Sequence, residues 1–291
     1  MSTTGRPTSG EGRQNVVLTG PSRSGTTLAC RLLNELPDTV ALHEPIPARL
    51  FARLEGEEAL LGSVEEFFAE MRRMILTRGT AISKHVDGKV PDNVYEGTRS
   101  GDGPRAHAGK DKGEISVTKD LARDFSLVIK HPAMFTALLP VLVRRFPCYA
   151  VIRNPLSILA SWNSVDHNAR DGRAPAAERY DKELKRELAA TDDRIERQLR
   201  LLSWFFGRYR GTLPDENVVR YEEMVATGGG ALAAIVSGAR ALDEPLFSQN
   251  LNAAYGRDEM RRLGERLLEW EGAMWAFYTK ESVEKLLLQI A

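Results

Sequence analysis

Eight consecutive residues, Gly20-Pro21-Ser22-Arg23-Ser24-Gly25-Thr26-Thr27, set two glycines around a cation and two hydroxyls, with two more hydroxyls after them. Backbone N–H groups in such a turn, together with the unpaired donors that open a helix, form a cradle for phosphate. The glycine spacing is that of a nucleotide-binding P-loop, but Thr26 stands where a lysine is expected. Phosphoryl-transfer enzymes use that lysine with Mg²⁺ to hold a triphosphate, so its absence argues against ATP or GTP. The cation sits earlier, at Arg23, within reach of the far end of an anionic ligand. A second grouping pairs Arg153 with Ser161, eight residues on. A guanidinium and a hydroxyl on rigid elements suit one phosphate, with arginine giving bidentate contacts. His43-Glu44-Pro45 and Lys130-His131-Pro132 add a carboxylate, an ammonium group and two imidazoles. Each grouping alone also has a plainer reading as a turn, a helix cap or a strand end.

The elements that must position these groups follow from periodicity. Val16-Val17-Leu18 reads as a buried strand entering the glycine-rich turn, and Leu28, Leu32, Leu33 and Leu36 leave it at helical spacing. Thr39 to Leu42, Leu127 to Ile129, Cys148 to Ile152 and Asn217 to Arg220 read as further strands, each ending at one of the polar groups or, for the last, at Tyr221. Asn154 and Pro155 suit the cap and first turn of a helix after Arg153. Ser63-Val64-Glu65-Glu66 has the pattern of a capping box and predicts a helix from there to Thr77. A helix from Ala133 to Arg145, bent at Pro140, a charged helical stretch over 176–210 broken near Ala190-Thr191, and a final helix from Thr279 complete the pattern. Gly228-Gly229-Gly230 predicts a tight turn. Between Arg78 and Lys112 periodicity disappears among glycines and prolines, so residues 78–118 are expected to form a lid or an acceptor-binding loop.

Strands alternating with helices predict an α/β fold: a single domain over 14–291 with a central parallel β-sheet flanked by helices. If the strands are parallel, every polar group falls at one sheet edge, where open α/β sheets bind ligands. Forty basic residues balance forty acidic ones, so nucleic acid is not an expected partner and any anion site must be built locally. No apolar run reaches membrane-spanning length, and residues 1–13 are polar, which predicts a mobile N-terminal tail, no membrane span and a cytoplasmic protein. Cys30 and Cys148 fall in core elements and are expected to be buried, reduced thiols.

The turn from Gly20 to Thr27 resembles the 5′-phosphosulfate loop of sulfotransferases that use 3′-phosphoadenosine 5′-phosphosulfate (PAPS), whose variants read Lys-Ser-Gly-Thr-Thr or Arg-Ser-Gly-Thr-Thr. The run from Arg153 to Ser161 resembles that family's 3′-phosphate element, with Arg and Ser in the matching places. Ile129-Lys130-His131-Pro132 and Val219 to Met224 are also similar to stretches of the family, so the resemblance covers scattered blocks between about residues 14 and 225. It implies a P-loop nucleoside-triphosphate-hydrolase-like sulfotransferase fold. The implied reaction is transfer of a sulfuryl group from PAPS to a hydroxyl, less readily an amine, of a small-molecule or glycan acceptor, releasing 3′-phosphoadenosine 5′-phosphate (PAP) with no metal required.

On this resemblance Ser22, Arg23, Ser24, Gly25, Thr26, Thr27, Arg153, Ser161 and Tyr221 bind the donor, and Arg23 also stabilises the leaving phosphate. Lys130 adds positive charge beside the transferred group. Glu44 is the preferred general base, its pKa expected to be raised by a closed site. His131 is its rival, and His43 a supporting residue. Leu28 replaces the tryptophan the family usually carries after the loop, and the purine contacts stay unassigned. Two other readings remain open: an atypical P-loop kinase of small molecules, and a non-catalytic nucleotide-binding protein.

Overall fold

The computed structural model describes residues 14–93 and 112–290, so the proposed tail and the centre of the 78–118 stretch lie outside the described residues. Five strands, β1 (Asn15–Thr19), β2 (Thr39–His43), β5 (Ser126–Lys130), β6 (Cys148–Ile152) and β7 (Val218–Arg220), form one sheet in the order β2-β5-β1-β6-β7. Every pairing in it is parallel. Apart from the edge strand β7, these strands are apolar at successive positions because helices cover both faces. Val17, Leu42, Ile129 and Ile152 face one core, and Val16, Leu18, Val128 and Val151 face the other. The predicted single α/β domain with a central parallel sheet is therefore observed.

The two faces are unequally clad. Helix α1 (Thr26–Leu33) covers the smaller core, with α8 (Tyr221–Ala226) beside it. The larger core is closed by α2 (Glu57–Arg78), α3 (Pro132–Leu142), α4 (Pro155–Asn163), α5 (Pro175–Glu178), α6 (Lys182–Ala189), α7 (Arg194–Thr212), α9 (Arg257–Glu269) and α10 (Lys280–Leu288). The Asn154 side chain caps α4 by accepting from the Leu156 N–H at 3.0 Å, with Pro155 in the first turn. Asp181 and Asp193 cap α6 and α7, which places the interruption between them where the sequence predicts it.

Two expectations are corrected. Helix α2 begins at Glu57 after Gly56, not at the Ser63 capping box, because Leu60 and Leu61 extend its buried stripe by another turn. The ends of the expected 78–118 loop are not irregular: β3 (Thr80–Lys84) and β4 (Lys112–Ser116) pair antiparallel as a separate two-stranded ribbon. Strand β3 alternates half-buried and buried positions, with Ala81 and Ser83 inward. So few apolar residues give a weak strand signal. Among the described residues no helix is long and apolar enough to cross a membrane.

One buried guanidinium ties the strand origins to the helical layer. Arg72 of α2 donates to Asn15 Oδ1 (2.8 Å), Phe125 O (2.7 Å) and Gln14 O (2.8 Å), and its Cζ lies 4.5 Å from the centre of the Phe125 ring. Removing it leaves three oxygens without this donor in a closed space. Arg72→Met is expected to lower the free energy of unfolding by about 3 kcal/mol or more. Urea denaturation showing a loss under ~1 kcal/mol would mean that Met restores the packing without the hydrogen bonds.

Candidate active site

Parallel strands deliver their C-terminal residues to one edge, and the loop after β1 is held there by side chains from its neighbours. Gly20 (φ 149°) and Gly25 (φ 96°) take conformations that favour glycine. A Cβ at Gly20 would lie 2.2 Å from Val151 O, and one at Gly25 would lie 2.7 Å from Tyr221 Cδ2. The Ser24 hydroxyl donates to Val151 O at 2.6 Å, and Trp162 Nε1 donates to Ser22 O at 2.8 Å. Gly25 is the N-cap of α1, so the amides of Thr26, Thr27 and Leu28 open the helix without a carbonyl one turn before them. A cavity of about 350 Å³ adjoins this end, lined by Arg23, Gly25, Thr26, Thr27, Arg153 and Tyr221, among others.

Arg23 and Arg153 meet across the loop. Arg153 Nη1 donates to Arg23 O (3.1 Å), Nε donates to Asn250 Oδ1 (2.7 Å), and Nη2 reaches Gln249 O and, at 3.4 Å, the Tyr255 hydroxyl. The guanidinium lies over the Tyr221 ring, 4.7 Å from its centre. Arg23, itself at φ 72°, donates from Nε to Ser161 Oγ (3.0 Å) and from Nη1 to Asn93 Oδ1 (2.8 Å). Ser161 is fully buried and reaches the loop through Arg23 rather than sharing a cavity wall with Arg153. Asn250 also donates to Glu222 Oε1 (2.9 Å), which accepts the Asn154 N–H (2.9 Å) as well, while Tyr278 donates to Glu222 Oε2 (2.7 Å).

A second cavity of about 450 Å³ lies on the other side of the loop, touched by Ser22, Glu44 and His131. Lys130 stands between the two cavities. Its Nζ lies 3.2 Å from Glu44 Oε1 and 3.5 Å from Thr27 Oγ1. Glu44 Oε2 accepts from Lys84 of β3 at 2.5 Å, and Oε1 lies 3.3 Å from His43 Nε2. Burial raises the Glu44 pKa, but Lys130, with His43 and Lys84, outweighs it and holds the carboxyl well below its usual value. The expectation of a raised pKa is thus corrected: its environment is cationic, not merely desolvated.

His131 shares that cavity, yet its Nε2 already accepts the Ile46 N–H at 3.0 Å. Burial keeps this imidazole neutral, with its pKa well below 6.5. Adjacent Lys130 and His131 point to different surroundings, as neighbours on a strand must. His43 is buried, and desolvation with the Lys130 charge lowers its pKa to about 4. Cys30 and Cys148 are free and buried, and burial pushes the Cys30 thiol up to about 12.

The site residues singled out in the sequence therefore gather at one edge: Arg23, Gly25, Thr26, Thr27, Arg153 and Tyr221 line one cavity, Ser22, Glu44 and His131 the other, and Ser24, His43, Lys130 and Ser161 are buried beside them. Sequence reasoning missed Lys84, Asn93, Gln249, Asn250 and Tyr255. Lys84 belongs to the ribbon whose strands were unrecognised, and the others lie in irregular segments with no spacing that marks them.

A scan against protein-family models matches nothing, and neither does a search of curated proteins. Among solved structures, the chain is similar to a sulfotransferase from Alicyclobacillus acidocaldarius, with 16% identity, 95% of this chain and 96% of that one covered, and a TM-score of 0.42. It is similar also to sulfotransferase STF1 from Mycobacterium tuberculosis H37Rv, with 14% identity, 88% and 76% covered, and a TM-score of 0.37. A third is the sulfotransferase domain of the Synechococcus PCC 7002 olefin synthase, with 11% identity, 95% and 93% covered, and a TM-score of 0.32. At these scores the likeness carries no weight for chemistry, which is read from the side chains.

The buried imidazoles make stability depend on pH. With its folded pKa lowered to about 4 from 6.5, His43 is neutral when folded and takes up a proton on unfolding below pH 6.5. Its contribution to stability is complete above that value and is lost as pH falls toward 4, by up to about 1.4 kcal/mol per pH unit for one proton. His43→Gln is expected to flatten the fall in unfolding free energy measured between pH 7 and pH 5. An identical slope in the variant would mean that His43 is already protonated in the folded protein.

Proposed function

We propose that this protein is a sulfotransferase that moves a sulfuryl group from PAPS to a hydroxyl of a small-molecule or glycan acceptor. The observation that carries the reading is the position of Lys130, which touches Thr27 of the anion cradle on one side and Glu44 of the second cavity on the other. A group-transfer enzyme needs such an arrangement: a donor pocket, an acceptor pocket, and preorganised positive charge where the bond changes hands. The resemblance of the Gly20–Thr27 and Arg153–Ser161 segments to the PAPS-binding elements supports PAPS as the donor.

In this reading the Thr26, Thr27 and Leu28 amides and the two threonine hydroxyls hold the 5′-phosphosulfate. Arg153, with Ser161 acting beside Arg23, serves the 3′-phosphate, and Tyr221 and Leu28 flank the adenosine. The acceptor oxygen attacks sulfur as the bond from sulfur to the 5′-phosphate oxygen breaks. The bonding pair passes to that oxygen, where Arg23 and Lys130 neutralise it. Glu44 takes the hydroxyl proton, and a sulfate ester and PAP leave. A carboxylate held by two ammonium groups is a weak base, but a loose transition state of the kind seen in phosphoryl transfer demands little early proton removal. His131 serves less well, because its Nε2 lone pair is occupied by Ile46.

Thermal shift tests the donor. PAP at about 100 times its dissociation constant is expected to raise the melting temperature by about 5–10 °C without Mg²⁺, and Mg-ATP is expected to leave it unchanged. The reverse outcome would favour the kinase, and no response to either would favour a non-catalytic protein. Glu44→Gln is expected to cut kcat at least about a hundredfold, as loss of a general base does, while leaving PAP affinity within threefold of about its original value. Turnover unchanged in this variant would move the base to His131. Because the Glu44 carboxyl is held below 4.5, it stays ionised above that pH, and kcat/KM is expected to keep its acidic limb below pH 4.5. An acidic limb near the ordinary histidine value would count against this assignment.

A further inference from the structure

The second cavity carries more positive charge than the described carboxylates neutralise. Lys84, Lys112, Arg173 and Arg179 line it against a single carboxylate, Glu44. Arg173 is engaged by the buried Glu178, its Nε donating at 3.1 Å. Glu44 answers both Lys84 and Lys130. That leaves Lys112 and Arg179, and among the described residues neither has a carboxylate partner. Lys112 stands directly opposite Lys84 across the β3–β4 ribbon, a placement in which like charges repel. Its Nζ donates to Ile46 O at 3.0 Å, a neutral acceptor, and Glu44 is the carboxylate that acts on its charge from beyond ion-pair distance. The Nε–H of Arg179 is buried and has no hydrogen-bond partner. The lining also includes the apolar side chains of Met134, Leu201 and Phe205.

An orphaned buried donor and a pair of facing lysines are each unfavourable in isolation. Both are relieved by one event, the arrival of an oxyanion. We propose that the acceptor is an amphipathic hydroxyl compound bearing an oxyanion, which Lys112 and Arg179 bind while its apolar body lies against Met134, Leu201 and Phe205 and its hydroxyl reaches Glu44. This deepens the transfer reading above and rests on it. Carboxylate and phosphate monoester share the required chemistry, and a cavity of this size takes a compound of about ten to fifteen heavy atoms with room to spare.

Calorimetric titration of the full chain, with and without PAP, would use two sets of probes: 10-hydroxydecanoate and 10-hydroxydecyl phosphate against 1,10-decanediol, and 3-(4-hydroxyphenyl)propanoate against its amide. The anionic member of at least one set is expected to bind about tenfold or more tightly than its neutral counterpart, as a charge-assisted contact to arginine warrants. The carboxylate and phosphate arms identify which oxyanion is preferred. In Arg179→Gln and Lys112→Gln the preference is expected to shrink to under about threefold, with a PAP-induced thermal shift equal to the wild type's showing that the fold and donor pocket are intact. Equal binding within both sets, no binding by any anionic probe, or a preference that survives in both variants would overturn the proposal. A wild-type protein that shifts with PAP yet shows no preference loses this inference alone, whereas one that ignores PAP loses the donor reading first.

Discussion

Lys130 ends a central strand with only 3% of its side chain exposed, and the burial of that ammonium sets conditions on its neighbours. An unpaired charge so placed costs several kcal/mol, on the order expected for removing an ion from water. The register of the sheet supplies the remedy. His43 pairs with Lys130 across β2 and β5, and the next residue, Glu44, donates its N–H to Lys130 O at 2.8 Å. With φ at 47°, the Glu44 backbone leaves the strand direction at that point, and its carboxylate meets the ammonium. Slip the register by one residue and the pair is lost, along with the tie from Glu44 to the ribbon through Lys84.

A comparable dependence fixes the other end of the loop. Arg153 links the backbone of Arg23 to Gln249, Asn250 and Tyr255, so a segment more than ninety residues further along is anchored on the turn after β1. Glu222 anchors the same segment through Asn250 and is itself held by the Asn154 N–H and the Tyr278 hydroxyl. The loop is closely held: Val151 and Tyr221 approach its glycines, the Ser24 hydroxyl bonds to Val151 O, and Trp162 Nε1 bonds to Ser22 O. Preorganisation of this kind spares an anion-binding site from rearranging as charge develops.

How much of this was legible in the sequence depended on range. Strands such as Leu127–Ile129 and caps such as Asn154-Pro155 are local signals, and the structure has them where periodicity and helix-start chemistry put them. The gathering of Arg23, Glu44, Lys130 and Arg153 at one edge followed from a single topological premise, that the strands run parallel. What failed depended on partners distant in the chain. The lowered pKa of Glu44 comes first from Lys130, with His43 and Lys84 adding to it, and Lys84 arrives on a ribbon whose strands have one buried apolar residue each. Asn250 and Tyr255 acquire meaning only through Arg153, and no spacing within 242–255 announces it. The start of α2 was misplaced for a different reason: a local capping pattern at Ser63 lost to the burial of Leu60 and Leu61, which tertiary packing rewards more strongly than a cap does.

The ribbon formed by β3 and β4 shares no backbone ladder with the main sheet and meets β2 through a side chain, the Ser83 hydroxyl accepting the His43 N–H at 3.0 Å. Lys84 and Lys112 occupy one rung of that ribbon, so two of the second cavity's cations come from backbone outside the main sheet. The sheet edge that grips the anion cradle contributes none of that rung. A change at Ser83 or Lys84 would therefore be felt at the end of β2, while the parallel ladder of the main sheet keeps its own backbone bonds.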